Sequence, residues 1–318
     1  MSIDKMALQQ GENLLNFLGN TPLLKLSAAN QTRGNIFAKV EYLNPGGSIK
    51  TRTAYGMIKA AEEKGELNED SIIVEPTSGN QGIGLSMVGA IHGYKVKIVM
   101  PASMSMERRK MMTAFGAELE LVESGENITE TFELTKNKAQ TLKAEDPRVY
   151  IPDQFENQAN PDIHRRTTAQ EILNQMEGEG KIDAFVAGVG TGGTLTGVGE
   201  VLKEKFPNIK IVAVEPENAA VLTQGNVSDH IQQGIGDGFI PGVLNQDLID
   251  DVVVVSDEDA LETARSLCKK EGAMVGVSSG TNIWAAYQVA EKLPAGANIV
   301  TVFPDGGDRY FSTPLFDK

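Results

Sequence analysis

Short apolar runs rich in β-branched residues recur along this chain at 72–75, 96–100, 119–122, 184–187, 209–214, 252–256 and 299–303. Between them lie longer stretches with helical periodicity, at 80–92, 106–115, 161–176, 195–206 and 257–271. This alternation constrains the fold more than any other feature. A strand that is apolar on both sides must be covered on both faces, and crossover helices supply that cover. The pattern therefore predicts an α/β protein built on a mainly parallel sheet. At 318 residues the chain is long enough for two domains or one large α/β unit.

Glycines concentrate in clusters at 46–47, 79/82/84, 188–193, 234–238, 276–280 and 306–307. Several of these fall where a predicted strand gives way to a helix. In a parallel sheet such places are the carboxyl ends of strands, where ligands bind. A single cluster reads most simply as a tight turn or helix cap, but this many converging on one edge point to a site assembled from several loops.

Composition excludes other classes. With 29 Lys+Arg against 43 Asp+Glu the formal net charge is −14, the wrong sign for general binding to nucleic acid or to anionic membranes. The one cysteine, Cys268, cannot form an intramolecular disulfide, which fits a reducing, cytoplasmic setting. The three histidines, His92, His164 and His230, are too far apart in sequence to suggest a zinc cluster, so no metal is expected. The polar start does not read as a signal peptide, and no apolar run reaches the roughly 18 residues of a membrane span.

Three loops carry recognisable chemistry. Gly188-Val189-Gly190-Thr191-Gly192-Gly193-Thr194 follows a strand and opens a helix, so its backbone N–H groups and the helix dipole form a phosphate cradle. Gly188, Gly190 and Gly193 also match a dinucleotide fingerprint, with Glu215 at the end of the next strand, which keeps an NAD reading open at this stage. Asn44-Pro45-Gly46-Gly47-Ser48-Ile49-Lys50 is a turn with Ser48 expected as helix N-cap and Lys50 in the first helical turn. There the helix dipole disfavours a charged amine, which suits a Schiff-base lysine. Thr77-Ser78-Gly79-Asn80-Gln81-Gly82 offers hydroxyls and backbone N–H groups to a carboxylate.

These motifs, together with Gly276-Val277-Ser278-Ser279-Gly280, stand in the order and spacing of the cysteine synthase family. The likeness runs from Gly19-Asn20-Thr21-Pro22-Leu23 to Arg309-Tyr310-Phe311-Ser312-Thr313, and takes in Pro101-Ala102-Ser103-Met104-Ser105 and Gln154-Phe155-Glu156-Asn157. The chain thus resembles pyridoxal-phosphate enzymes of fold type II, the tryptophan synthase β-like group, close to O-acetylserine sulfhydrylase and the core of cystathionine β-synthase. The resemblance implies two twisted, mainly parallel-sheet domains. One would be 45–157, with the lysine and the carboxylate loop; the other would be 12–44 plus 158–318, with the phosphate loop. It implies pyridoxal 5'-phosphate as cofactor, a homodimer, and serine acetyltransferase as a partner by family analogy.

Residue by residue, the resemblance implies that Lys50 holds the cofactor and moves the α-proton as general base. Gly190, Thr191, Gly192, Gly193 and Thr194 would bind its phosphate, Asn80 its ring oxygen, and Ser278 its ring nitrogen. A neutral hydroxyl at that nitrogen limits the ring as an electron sink, favouring β-elimination through an aminoacrylate. Thr77, Ser78, Gly79, Gln81, Gln154 and Gly236 would form the substrate site. The implied reaction is that of a cysteine synthase, O-acetylserine and sulfide giving L-cysteine and acetate.

Two departures bear on the reaction. Gln81 stands where the family usually has threonine. In Gly234-Ile235-Gly236-Asp237-Gly238-Phe239, Asp237 stands where a small apolar residue is usual. A carboxylate there is expected to activate water, so that L-cysteine and water give L-serine and sulfide, or to steer an amino-bearing second substrate towards cystathionine or lanthionine. A solvated loop carboxylate is the plain alternative. No regulatory module and no haem ligand are expected, since the chain stops soon after the Arg309–Thr313 motif and its start lacks Cys and His. A non-catalytic homologue that binds a partner protein is the alternative from another class, against which Lys50, the phosphate loop and Ser278 speak.

Overall fold

The structure, a computed structural model, describes residues 11–27, 32–77, 79–103 and 105–316. Ser78, expected at the carboxylate loop, lies outside the described residues. The strands are β1 (Leu23–Lys25), β2 (Asn35–Val40), β3 (Ile72–Pro76), β4 (Lys95–Pro101), β5 (Glu118–Val122), β6 (Val149–Tyr150), β7 (Ala184–Gly188), β8 (Lys210–Pro216), β9 (Asp251–Val255) and β10 (Asn298–Phe303). The helices are α1 (Lys50–Glu63), α2 (Asn80–His92), α3 (Met106–Ala114), α4 (Ile128–Glu145), α5 (Ala159–Ile163), α6 (Ala169–Gln175), α7 (Gly193–Lys205), α8 (Asp257–Glu271) and α9 (Val277–Lys292).

Two sheets result. The larger runs β1-β2-β10-β7-β8-β9 and the smaller β5-β4-β3-β6. Every pairing is parallel except that of the edge strand β1 with β2. The near-continuous apolar runs mark the strands covered on both faces: all six residues of β10 and six of the seven in β8 are buried. The chain starts in the large sheet, leaves it after β2, builds the small sheet with β3 to β6, and returns through α5. The carboxyl ends of β2, β3, β7 and β10 are thereby brought to one cleft.

Several elements differ from the sequence expectation. The periodic stretch 161–176 is helical as expected, but a π-helical turn at His164–Thr168 lies between α5 and α6. Such a turn inserts extra backbone per turn, and here it accompanies a His164 whose Nδ1 meets Thr168 Oγ1 at 2.9 Å. Ser48 is not the N-cap of α1. That position is Ile49, and the Ser48 hydroxyl instead accepts from the Lys50 amide at 3.3 Å. Strand β2 escapes an apolar-run search because it carries Lys39, fully buried within the sheet.

That lysine belongs to a buried ionic network. Arg52, on α1, donates from Nε to Glu41 at 2.7 Å and from Nη1 and Nη2 to Glu171 at 2.6 and 2.7 Å. Lys39 Nζ pairs with Glu171 at 2.7 Å. Burial works to raise Glu171, but the hydrogen bonds and charges of Arg52 and Lys39 prevail and hold it at about 2. The cluster joins β2, the turn after it, α1 and α6 into one unit. Removing one member strands the other charges in a dry interior. Glu41→Gln is expected to lower the free energy of unfolding by about 3 kcal/mol, read as a lower urea midpoint at unchanged slope. Because the Glu171 pKa is depressed on folding, its contribution is complete at neutral pH and is lost as pH falls from its ordinary 4.5 towards 2.

Candidate active site

The four carboxyl ends enclose a cleft of about 400 Å³. Lys50 opens α1 on its floor, and the Ile49 amide donates to the Pro304 carbonyl at 2.8 Å, joining the lysine turn to the end of β10. Lys50 Nζ lies 3.3 Å from Thr191 Oγ1. Burial lowers the Lys50 amine to about 8, while Asp237 and Glu75 push the other way. Desolvation is the largest cause of this shift. Asp237 lines the same cleft, and burial raises its carboxyl against the opposing charges of Lys50 and His230.

The phosphate loop is shaped by its neighbours. A Cβ on Gly190 would fall 2.3 Å from the Gly234 carbonyl oxygen, and one on Gly193 would fall 2.0 Å from Asn160 Oδ1. No side chain fits at either position. Gly190, Thr191, Gly192 and Thr194 line the cleft, with Gly193 tucked behind them as the first residue of α7. The first turn of a helix leaves its amides without intrahelical partners, which suits a bound phosphate. Behind the loop, Asn160 Nδ2 donates to Thr191 Oγ1 at 3.0 Å and to the Gln154 carbonyl at 2.7 Å. The ring of His164 sits 3.4 Å from both Thr53 Oγ1 and Thr194 Oγ1. Burial holds this histidine well below its ordinary range, so it is neutral.

The opposite wall is the start of α2. Thr77, Gly79, Asn80 and Gln81 line the cleft together with Gln154. Asn80 is held by a network the sequence reading missed. Its Nδ2 donates to Asp305 at 2.7 Å, its Oδ1 accepts from Arg309 at 2.5 Å, and Tyr310 also donates to Asp305 at 2.7 Å. Gln81 is 1% exposed, yet neither its Nε2 nor its Oε1 has a partner. Buried amides are ordinarily satisfied, so this pair of orphaned atoms marks a place where a ligand group completes the structure. Gln154 is set by Glu75, which accepts the backbone amides of Asp153 and Gln154 at 3.1 and 3.2 Å, and burial pushes that carboxyl up to about 8.

Ser278, in the first turn of α9, is buried at the cleft wall. Gly236 is not part of the lining. Its amide donates to the Val189 carbonyl at 2.9 Å, and it serves to seat the 234–239 loop against the phosphate loop. The dinucleotide reading fails on Glu215, whose carboxylate is taken by the amides of Leu222 and Thr223 and by the Thr223 hydroxyl. The residue is 2% exposed and does not line the cleft.

A lysine of lowered pKa, a glycine-lined cradle at a helix N-terminus and an unsatisfied amide in a closed-walled cleft together suit a phosphorylated aldehyde cofactor and an amino acid. Residues 14–305 match the family described as pyridoxal-phosphate dependent enzyme. The chain belongs to that family and depends on pyridoxal phosphate. It is 47% identical to a cysteine synthase of Staphylococcus aureus over 312 residues, covering 98% of this chain and 99% of the relative. Among solved structures it is similar to a hydrogen sulfide-producing enzyme from Fusobacterium nucleatum, with a TM-score of 0.90, 40% identity and coverage of 95% and 99% of the two chains. It is also similar to a cysteine synthase from Entamoeba histolytica, with a TM-score of 0.93, 38% identity and coverage of 100% and 95%.

Only a neutral amine attacks an aldehyde, so the rate at which stripped enzyme takes up pyridoxal phosphate is expected to rise with pH and reach half its plateau near 8, the Lys50 value. Stopped-flow absorbance at a series of pH values checks this. A midpoint near the ordinary lysine value of 10.5 would remove burial as the activating force.

Proposed function

We propose that this protein catalyses β-replacement on a three-carbon amino acid, joining O-acetylserine and sulfide into L-cysteine and acetate. The observation that carries the reading is the pairing of Lys50, lowered to about 8 by burial, with the orphaned Gln81 amide across one cleft. The relatedness to cysteine synthases supports it. When bound, pyridoxal phosphate supplies the electron sink that acidifies the substrate Cα–H and lets the β substituent depart.

The chain's own residues do the rest. Gly190 to Thr194 hold the phosphate, with Asn160 and His164 setting the hydroxyls of Thr191 and Thr194. Ser278 would offer a neutral hydroxyl to the ring nitrogen, and Asn80, oriented by Asp305 and Arg309, would bind the ring oxygen. Gln81, Gln154, Thr77, Ser78 and Gly79 take the substrate carboxylate, with Gly236 contributing through the loop it seats against the phosphate loop. Lys50, its amine lowered to about 8 by burial, removes the proton from Cα and returns it. The division into 45–157 and 12–44 plus 158–318 belongs to the same reading, and the small sheet lying within 72–150 supports it.

Asp237 favours a second activity of the same site. Raised by burial and held within electrostatic reach of Lys50, its carboxylate is placed to take a proton from water, so that L-cysteine and water give L-serine and sulfide. The likeness to a hydrogen sulfide-producing enzyme supports this. We also propose a homodimer in the cytoplasm, with serine acetyltransferase as a partner. No helix among the described residues is long and apolar enough to cross a membrane.

Holoenzyme given L-cysteine alone is expected to release sulfide with an equal amount of L-serine. In Asp237→Asn the ratio of this activity to cysteine synthesis is expected to fall about 100-fold, the scale of a general base. Amino-acid chromatography alongside sulfide detection reads both. Pyruvate in place of serine, or an unchanged ratio in the variant, would remove Asp237 as the base.

A further inference from the structure

We infer that His230 is the positioning residue that aims the Asp237 carboxylate in the serine-forming branch of the reaction. The inference rests on the second activity proposed for Asp237 and adds the group that holds its base in place. Asp237 has little to aim it locally. It stands between Gly236 and Gly238, with Gly234 just before, and these three glycines take left-handed backbones with φ of 70°, 84° and 93°. Such a run is loose when nothing outside holds it. The Asp237 carboxylate accepts no hydrogen bond from the described residues; burial and the charges of Lys50 and His230 act on it instead. Its direction is therefore left to the backbone on either side. Phe239 rests on Phe132 and Phe155, with ring centres 4.8 and 5.0 Å apart, and holds the far side.

The near side is clamped at Gly236. Its amide donates to the Val189 carbonyl at 2.9 Å, and its carbonyl lies 2.9 Å from His230 Nε2. A carbonyl only accepts, so Nε2 carries the ring proton, while Nδ1 accepts from the Gln232 amide at 3.1 Å. The fit is close: a Cβ on Gly236 would fall 2.9 Å from His230 Nε2 and 2.7 Å from Pro216 Cγ. The ring itself stands on a fixed foot. Gln232 is fully buried, its Nε2 donates at 2.9 Å to the Val255 carbonyl at the end of β9 and to Asp257 of α8, and its Oε1 accepts from Thr281 of α9 at 2.9 Å. A satisfied buried network of this kind is rigid. It runs from the large sheet through Gln232 and His230 to the peptide that precedes Asp237, and His230 and Asp237 line the same cleft. Only one branch needs that aim. Hydrosulfide attacks without a base, whereas water must give up a proton as it attacks. In the serine-forming branch the Cβ–S bond of L-cysteine breaks with its electron pair on sulfur. The water oxygen bonds to the β-carbon, and the water proton goes to Asp237 and from there to the departing hydrosulfide. The Cα proton taken by Lys50 returns to Cα.

The test gives holoenzyme L-cysteine alone and, separately, O-acetyl-L-serine with sulfide, and takes the ratio of serine formation to cysteine formation. Two substitutions divide the ring between them. His230→Gln puts an amide N–H near the place of Nε2, whereas His230→Asn keeps an acceptor near the place of Nδ1 and falls short of Gly236. In His230→Asn the ratio is expected to fall about tenfold, the scale of one lost hydrogen bond, through kcat for L-cysteine rather than KM. His230→Gln keeps the ratio within about threefold of the unaltered enzyme. With Asp237→Asn already in place, His230→Asn changes the ratio no further, because residues acting as a unit do not add. An unchanged ratio in His230→Asn, or a further tenfold fall on top of Asp237→Asn, overturns the inference. Should His230→Asn not fold, His230→Leu, which also lacks the donor, is judged by the same readings. An unchanged ratio in Asp237→Asn sinks the Asp237 reading and this inference together; a fall there with none in His230→Asn sinks the role of His230 alone.

Discussion

The position of Lys50 depends on a salt-bridge cluster two residues further along its own helix. Arg52 is gripped by Glu41 from the turn after β2 and by Glu171 from α6, and Lys39 closes the cluster from within the large sheet. The chain has just left that sheet at this point, and α1 would otherwise belong to the small one. By anchoring the first turn of α1 to the large sheet, the cluster keeps the lysine of one half facing the phosphate loop of the other. A hydrophobic contact could supply comparable adhesion, but two carboxylate partners of Arg52 with fixed geometry also set the orientation of the helix.

The cleft inherits its chemistry from that placement. Because Lys50 is shut in between the two halves, its amine is lowered from 10.5 to about 8, and because Asp237 and Glu75 share the enclosure, their carboxyls rise. None of these values belongs to a residue alone. Lys50 balances desolvation against Asp237 and Glu75, while Asp237 balances it against Lys50 and His230, and Glu75 against the amides of Gln154 and Asp153 and the charge of Lys50. The same enclosure keeps His164 neutral beneath Thr194, where it can hold a hydroxyl without adding a charge to the phosphate site.

Much of the site was legible beforehand because its parts are loops with composition forced by close approach. Gly190 and Gly193 admit no side chain, and Asn80 and Gln81 open a helix whose limits, Asn80–His92, matched the periodic stretch. The residues that were not legible are those that act through others. Asn160, His164, Asp305, Arg309 and Glu75 are distant in sequence from what they orient, and buried polar residues of this kind look like ordinary loop or strand residues until their partners are known. Helix α9 was hidden likewise, because its buried first half is made of small and hydroxylated residues rather than an apolar stripe.

The sequence by itself determined the class of fold, through two-faced apolar strands that only a covered parallel sheet can satisfy, and the loops at which a ligand would sit, through glycines whose positions tolerate nothing larger. Tertiary structure alone decided how far the groups in those loops depart from their ordinary chemistry. A lysine is lowered to about 8 and an amide is left without partners only when distant segments close over them. Desolvation is a property of the enclosure, and no local pattern of residues records it.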